Sequence, residues 1–153
     1  MEEVVSFLEQ RLGERYLGLR EDRGETTVWI EPSAWVEAAR FFKESGFGFL
    51  SDLTAVDYLD RVPRFDLSVI LLSMATRESV RMKTMLGEED PRVSTLSELW
   101  SGANWFEREV YDLFGIRFDG HPDLRRILLP ADYHGHPLRR DYPVTGPPTS
   151  VYR

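Results

Sequence analysis

The sequence predicts an α+β fold, in which helices cover a mixed, largely antiparallel sheet and an extended C-terminal arm follows. Three observations support this prediction. Apolar residues recur at helical spacing in two segments before residue 46, strand-like runs follow between residues 47 and 85, and six of the nine prolines lie from Pro122 onward. At 153 residues we expect one core. We place the domain at residues 1–118 and the arm at residues 119–153.

Two helices and four strands are expected before residue 86. The first helix ends at Gly13 and the second, which can begin at Pro32, ends at Gly46. The strands are predicted at residues 26–31, 47–59, 65–74 and 79–85. The third of these is apolar on both faces, which favours an interior position, whereas Arg81 and Lys83 alternate with apolar residues and predict a half-exposed strand.

A third helix is predicted at residues 104–114, with Asn104 as its N-cap, Glu107 completing a capping box and Gly115 as its stop. Thr95 and Glu98 form a second candidate capping box. Helical spacing places four apolar residues on one face of the third helix and four mostly charged residues on another, where Arg108 can pair with Asp112. The apolar set is Phe106, Val110, Leu113 and Phe114, and the other set is Trp105, Arg108, Glu109 and Asp112.

The arm contains two similar runs, HPDLRR at residues 121–126 and HGHPLRRDYP at residues 134–143. Each proline fixes φ and removes a hydrogen-bond donor, so we expect an extended, stiff path with little helix or strand. Such a backbone cannot satisfy its own polar groups and must lie on a surface. That surface can belong to this chain or to a partner, and the residues alone leave both alternatives open.

Composition excludes several classes of function. The net charge is −7, and five arginines against three aspartates from His121 onward leave −9 for residues 1–120. An acidic body argues against nucleic-acid binding. Without cysteine the chain can have no disulfide, thiolate nucleophile or Cys-ligated iron–sulfur cluster. The longest apolar run, at residues 69–72, is too short to span a membrane, so we expect a cytosolic or peripheral protein.

A metal site is the main catalytic alternative. His121, Asp123, His134 and His136 could supply mixed nitrogen and oxygen ligands to zinc, which would make the chain a free-standing metal-dependent hydrolase. Their spacing is poor, and His-Pro pairs also occur as simple turn elements. Carboxylates of the third helix could act as acid and base, but the interleaved Arg108 favours a charge-paired face. We therefore predict no catalytic residues.

Three motifs carry a resemblance to a known family. They are ERE-x-YDLFGI at residues 107–116, GHPDLRRIL at residues 120–128 and GHPLRRDYP at residues 135–143. In this order they resemble the C-subunit (30-kDa) family of the proton-pumping NADH:quinone oxidoreductase, respiratory complex I, and linked motifs are more specific than single ones. The resemblance implies that the following residues carry the family signature and partner docking: Glu107, Arg108, Glu109, Tyr111, Asp112, Gly115, His121, Pro122, Arg125, Arg126, His136, Pro137, Leu138, Arg139, Arg140, Asp141, Tyr142 and Pro143.

The resemblance also implies a function. It is that of a non-redox structural subunit of the peripheral arm, at the cytoplasmic face of the bacterial cell membrane, associated with the membrane only through the complex. The expected partners are the D-type quinone-site subunit and the B- and I-type iron–sulfur subunits, and FMN, iron–sulfur clusters and quinone are expected in partner subunits. The equivalent subunit of an energy-converting hydrogenase or ferredoxin-fed relative is the alternative.

The two arginine pairs of the arm are expected to differ. We expect Arg139 and Arg140 to face an acidic surface of the D-type subunit, because the planar guanidinium binds carboxylates bidentately. Arg125 and Arg126 lie nearer the third helix and could instead close on Glu109 or Asp112 within the chain.

Overall fold

A five-stranded sheet forms the centre of the fold in the computed structural model, which describes residues 1–146. Its strands are β1 (Tyr16–Asp22), β2 (Glu25–Ile30), β3 (Phe49–Asp57), β4 (Phe65–Leu72) and β5 (Ser79–Leu86). They lie in the order β1-β2-β5-β4-β3. Only β2 and β5 pair in parallel, so the sheet is mixed and largely antiparallel as predicted.

Two helices cover one face of this sheet. Helix α1 spans Glu2–Leu12 and α2 spans Trp35–Glu44, each joined to the sheet through a short 3-10 turn, Gly13–Arg15 and Pro32–Ala34. The predicted stripes point inward, because their side chains recur every three or four residues on one helical face. The stripe residues fully or almost fully buried are Val5, Leu8, Leu12, Trp35, Ala38, Ala39 and Phe42.

The four predicted strands correspond to β2 to β5 within two residues at each end. Strand β4 is interior, as expected from its apolar faces, although β5 is the middle strand. Strand β1 was missed. It is an edge strand with a bulge near Gly18, and Leu17 and Leu19 are exposed, so it carries no inward-facing apolar alternation that a sequence pattern could detect.

The third helix, α3, spans Ala103–Phe114 and contacts β3. Two short strands, β6 (Arg92–Ser94) and β7 (Arg117–Asp119), flank α3 in the chain and pair in parallel with each other. Neither was predicted, because three residues are too few to show a period. Strand β7 therefore includes Asp119, the first residue of the predicted arm.

Residues 120–146 contain turns but no helix or strand. They fold back onto α3 and the end of β3 rather than extending away. The last seven residues of the predicted arm lie outside the described residues, and the division at residue 118 stays a prediction. In the part of the chain that is described, no helix is both long and apolar enough to cross a membrane.

Candidate functional site

Helix α3 begins one residue earlier than predicted, at Ala103, and no side chain caps it. The predicted capping box of Asn104 and Glu107 is therefore wrong. Glu107 is fully buried and points at the preceding loop, where it accepts hydrogen bonds from the Leu96 amide at 2.6 Å and from the Thr95 hydroxyl. The Thr95 hydroxyl also accepts the Ser97 amide hydrogen, so it caps that turn, but the carboxylate that it contacts is Glu107 and not Glu98.

Burial raises the pKa of Glu107 to about 7, although the hydrogen bonds from Thr95 and Leu96 favour its charged form. The imidazole of His121 lies 3.8 Å from this carboxylate. Its Nδ1 accepts the Asp123 amide hydrogen, so Nε2 carries the proton and donates to the carbonyl of Asn104 at 3.1 Å. The ring nitrogens of His121 are therefore directed at the Asn104 carbonyl and the Asp123 amide.

Asp112 is the centre of the contact between α3 and the arm. It is fully buried, and its Oδ2 accepts three successive amide hydrogens, from Ile127, Leu128 and Leu129, at 3.1, 2.8 and 2.9 Å. Its Oδ1 accepts a hydrogen bond from the Arg126 guanidinium at 2.7 Å. Burial alone would raise the pKa of Asp112, but Arg126 and the three amides outweigh it and lower the pKa.

Arg108 does not pair with Asp112, so the predicted i,i+4 ion pair is wrong. Its guanidinium donates to the carbonyls of Arg125 and Arg126 at 3.2 and 3.0 Å and lies 5.3 Å from the centre of the Trp105 ring. Arg108 and Asp112 bind the arm instead of each other, because the irregular backbone of the arm needs hydrogen-bond donors and acceptors. The predicted charged face of α3 is therefore the face that binds the arm.

The other residues of α3 follow the predicted division into a buried apolar face and a charged face only in part. Val110 and Phe114 are buried, whereas Phe106 and Leu113 are only half-buried. Glu109 and Trp105 are exposed. Within residues 1–146, Arg125 and Arg126 form ion pairs with Asp123 and Asp112 and none with Glu109.

Gly115 ends α3 in the left-handed conformation, with φ 74°, as predicted. A β-carbon here would lie 2.6 Å from the His136 ring and 2.8 Å from the Arg139 guanidinium, so only glycine lets the arm approach. His136 donates from Nδ1 to the Asp112 carbonyl at 2.9 Å, and Arg139 donates to the Phe114 carbonyl at 2.6 Å. Burial lowers the pKa of both His136 and Arg139. The arm thus caps the C-terminus of α3.

A second contact between the domain and the arm, which no sequence motif predicts, is centred on Arg64. This guanidinium is only 2% exposed and binds Asp57 through two 2.8 Å hydrogen bonds, Asp141 at 2.8 Å and Glu88 at 2.6 Å. Asp57 also accepts the Arg140 amide hydrogen at 2.8 Å. These contacts lower the pKa of Asp57, chiefly through Arg64, and raise that of Arg64, chiefly through Asp57. No local pattern marks Arg64, because its partners lie seven to 77 residues away.

The two arginines within each pair of the arm make different contacts. Arg126 closes on Asp112, as one of the two predicted possibilities, whereas Arg125 pairs with the exposed Asp123 at 2.8 Å. Arg139 is half-buried and binds the Phe114 carbonyl of its own chain, and its expected contact with an acidic surface of the D-type subunit stays a prediction. The side chain of Arg140 has no ion-pair partner within residues 1–146 and is exposed.

The remaining signature residues shape the arm. Tyr111 packs edge-to-face on His136, and the hydroxyl groups of Tyr133 and Tyr142 hydrogen-bond at 2.8 Å. Gly135, with φ 93°, leaves room for the Tyr142 ring, which a β-carbon would approach to 2.6 Å. Pro137 is half-buried. Seven members of the signature set are exposed: Glu109, Pro122, Arg125, Leu138, Arg140, Asp141 and Pro143.

The three histidines are not brought together as a metal site. His121 and His136 contact the carbonyls of Asn104 and Asp112, which are eight residues and so about 12 Å apart along α3. Residues 1–146 contain no group of three or more His, Cys, Asp or Glu side chains that could hold a metal ion. This geometry does not favour the metal-dependent hydrolase.

Comparisons with known proteins agree with the motifs. The family model of the respiratory-chain NADH dehydrogenase 30-kDa subunit matches residues 28–148. The chain is 44% identical over 152 residues to the C subunit of the NADH-quinone oxidoreductase of Geobacter sulfurreducens, covering 98% of this chain and 94% of that protein. It is 46% identical to the protein of the same name from Roseiflexus castenholzii, covering 92% of this chain and 83% of that protein.

Two solved structures share the fold. The trypsin-resistant fragment (1-134) of Nqo5 superposes with a TM-score of 0.71 at 35% identity, over 79% of this chain and 98% of that one. A chain of an archaeal membrane-bound sulfane sulfur reductase superposes with a TM-score of 0.81 at 22% identity, over 94% and 85%, and this likeness shows the fold alone. The family model covers most of the sequence and includes all three motifs. The chain therefore belongs to the 30-kDa family of respiratory-chain NADH dehydrogenase, the C subunits of respiratory complex I.

Proposed function

We propose that this chain is a non-redox structural subunit of the peripheral arm of a proton-translocating NADH:quinone oxidoreductase, which docks the D-type quinone-site subunit beside the B- and I-type iron–sulfur subunits. On this proposal the chain lies at the cytoplasmic face of the membrane and is held there only by the complex. Flavin, iron–sulfur clusters and quinone belong to its partners.

The observation that carries the proposal is the rigid, irregular surface of the arm. The buried Asp112 binds backbone amides of the arm and the buried Arg64 binds the side chain of Asp141, while Leu128, Leu138 and Arg140 are exposed. A segment already ordered in the free protein loses little conformational entropy when it binds. The exposed arginine is of the kind that anchors protein interfaces.

A deletion strain tests the docking role. We expect that a tagged copy of the chain restores membrane NADH:quinone reductase activity and copurifies with the D-, B- and I-type subunits in equal amounts. Assembly of an active complex in the strain that lacks the gene would contradict the proposal. So would a tagged chain that restores activity without retaining the D-type subunit.

The purified chain tests the non-redox role separately. We expect no visible absorbance from flavin or iron–sulfur centres and no oxidation of NADH. The absence of cysteine supports this expectation, since ordinary cluster ligation uses cysteine thiolates. Stoichiometric flavin, or turnover by the isolated chain, would contradict it.

The equivalent subunit of an energy-converting hydrogenase or ferredoxin-fed relative has less support. The relatives at 44% and 46% identity are named as NADH-quinone oxidoreductase subunits. The electron donor of the assembled complex separates the two possibilities, because NADH should reduce quinone through the complex only in the first.

A further inference from the structure

The face of the central sheet that α1 and α2 leave open carries a basic pocket. The helices cover the other face, where Val28 of β2 and Met82 of β5 are fully buried. Side chains alternate between the two faces of a strand, so the sequence neighbours of these residues point to the open face. A concavity of about 400 Å³ lies there, and its lining includes Arg20, Arg23, Arg81, Lys83, Thr27 and Trp29. None of these residues belongs to the arm or to the three motifs.

The strand register places two of the arginines on either side of one threonine. Thr27 of β2 pairs directly with Arg20 of β1 on one side and with Arg81 of β5 on the other. Directly paired residues point to the same face, and neighbouring strands lie about 4.8 Å apart, so about 10 Å separates the two arginine backbones. Thr27 is short and only 9% exposed. Both guanidinium groups can therefore reach one ligand held above it.

The next row of the same face adds an aromatic side chain and a third cation. Trp29 pairs directly with Lys83, whose ammonium lies 4.4 Å from the centre of the Trp29 ring. Lys83 also binds Asp66 at 3.1 Å, but Asp66 is shared with Arg61. One buried carboxylate therefore faces two cations, which leaves positive charge at this end of the pocket.

The pocket has an excess of positive charge in an acidic chain. Four cations line it against two carboxylates, those of Asp22 and Glu25, which gives +2, whereas the whole chain carries −7. Asp22 binds Arg20 at 3.2 Å, and Glu25 binds Arg81 at 3.0 Å. The two carboxylates are 58% and 61% exposed, and ion pairs so exposed contribute little stability. A ligand with several negative charges can therefore displace them.

We propose that this pocket binds a phosphate chain, namely the diphosphate or triphosphate group of a small molecule. The guanidinium groups of Arg20 and Arg81 match phosphate oxygens in a bidentate manner, and the Thr27 hydroxyl between them is a further donor. A single phosphate would fill little of the space, since sites for small molecules measure about 300 to 1,000 Å³. The inference does not depend on the proposed docking function, because it concerns the opposite side of the chain's charge balance and different residues.

Titration calorimetry of the purified full chain with inorganic triphosphate at low ionic strength tests the site. Arg81→Gln removes a charge from the pocket, and Arg11→Gln is the matched control. Arg11 lies on α1, its side chain is 44% exposed against 34% for Arg81, and it also pairs with a glutamate, Glu37. We expect about tenfold weaker binding for Arg81→Gln, because a hydrogen bond between charged groups is lost. Arg11→Gln should change the affinity by less than about twofold, because its charge is distant and screened.

Glu25→Gln provides a test in the opposite direction. It removes the carboxylate that competes for Arg81, so we expect about threefold tighter binding of triphosphate. A variant that merely damages the fold cannot produce this gain. Should Arg81→Gln melt at a lower temperature than Arg11→Gln, Glu25→Gln decides: tighter binding supports the inference, and unchanged or weaker binding overturns it.

A nucleotide titration separates the two sources of a phosphate chain. If adenosine triphosphate binds no more tightly than inorganic triphosphate, the site recognises the phosphate chain alone, whereas tighter binding assigns the site to nucleotides. Both results support the inference.

Three results would overturn it. The first is that neither triphosphate nor adenosine triphosphate binds to the parent. The second is that Arg11→Gln loses as much affinity as Arg81→Gln, because the anion then responds only to net charge. The third is that a peptide of aspartate and glutamate binds more tightly than triphosphate and loses its affinity in Arg81→Gln, because the pocket is then a docking surface for an acidic protein segment.

Discussion

The sheet with its two helices and the C-terminal arm are stabilised in different ways. The sheet and helices bury a continuous apolar core that includes fully buried Trp35, Phe42 and Leu67. Residues 121–146 of the arm contain no helix or strand, and none of them is buried to the extent of the core residues. Instead, two charged side chains of the domain, Asp112 and Arg64, bind its backbone amides and its side chains.

Because of this difference, we expect the two regions to respond differently to substitutions. Apolar burial is non-directional and is shared among many side chains, so a core substitution weakens the whole domain. A buried charge acts through a few directional hydrogen bonds, and its removal leaves specific partners unpaired. We therefore expect core substitutions to have global effects and substitutions at the arm to have local, pH-dependent ones.

The largest effect is expected from Phe42→Ala. Phe42 is fully buried and packs edge-to-face on Phe41 and Phe47, with ring centres 6.0 and 5.6 Å away. Its truncation should lower the free energy of unfolding by about 3 to 5 kcal/mol. Urea denaturation measures this, with the exposed Phe7→Ala as control. Equal midpoints for the two variants would show that the core does not carry the stability of the sheet.

Glu107→Gln tests a buried carboxyl whose pKa is raised. In the parent, the folded state holds this proton from the ordinary pKa of 4.5 up to about 7, so stability should fall as pH rises through that window. The decline should be on the order of 3 kcal/mol, since one pKa unit corresponds to about 1.36 kcal/mol. Glutamine cannot ionise, so the decline should disappear in the variant and persist in Glu109→Gln, which changes an exposed neighbour on α3. A decline of equal size in both variants would assign the slope to another group.

Asp112→Asn tests a buried carboxylate of opposite behaviour. Its lowered pKa means that its contribution is present above the ordinary pKa of 3.8 and is lost as pH falls through the folded value. We expect the substitution to cost about 1 to 3 kcal/mol locally and to accelerate hydrogen exchange at Ile127, Leu128 and Leu129, while the core amides stay protected.

The matched control for Asp112→Asn is Asp123→Asn, which removes an exposed carboxylate of the arm. We expect exchange at the three amides to keep its parental rate in this control. If Asp112→Asn also keeps that rate, Asp112 does not hold the three amides. If the core amides exchange faster by the same factor, the arm and the core unfold as one cooperative unit and are not stabilised separately.

The smallest effect on stability is expected from Arg140→Ala, and it should be compared with Arg139→Ala. Arg139 binds the Phe114 carbonyl and lies 5.2 Å from the centre of the Phe65 ring, so its loss should lower the melting temperature by several degrees. Arg140 uses only its backbone within the described chain. Its truncation should leave melting unchanged and weaken retention of the quinone-site subunit. Reversed results would show that Arg140 belongs to the fold and Arg139 to the interface.

Much of the fold could be predicted from the sequence. The helices α1 and α2 and the strands β2 to β5 have apolar stripes or alternation, because one face of each must be buried. Edge strand β1 lacks that pattern, since little of its side-chain surface is covered, and the strands β6 and β7 are too short to show a period although each buries its central residue. The sequence predicts the candidate site only as a set of motifs. The contact of Arg126 with Asp112 was one of two predicted possibilities, whereas the roles predicted for Glu107 and Arg108 were wrong.

Local sequence patterns predict the elements that bury apolar surface, the Gly115 stop of α3 and, through three linked motifs, the family. Tertiary structure alone decided that Glu107 binds Leu96 instead of capping α3, that Asp112 binds the arm instead of Arg108, and that Arg64 binds Asp141 of the arm. The two groups of features differ because the interactions behind them act over different separations along the chain. Apolar periodicity is local and repeats along the chain, whereas a buried charge selects whichever donors the fold brings within about 3 Å, however distant they are in sequence.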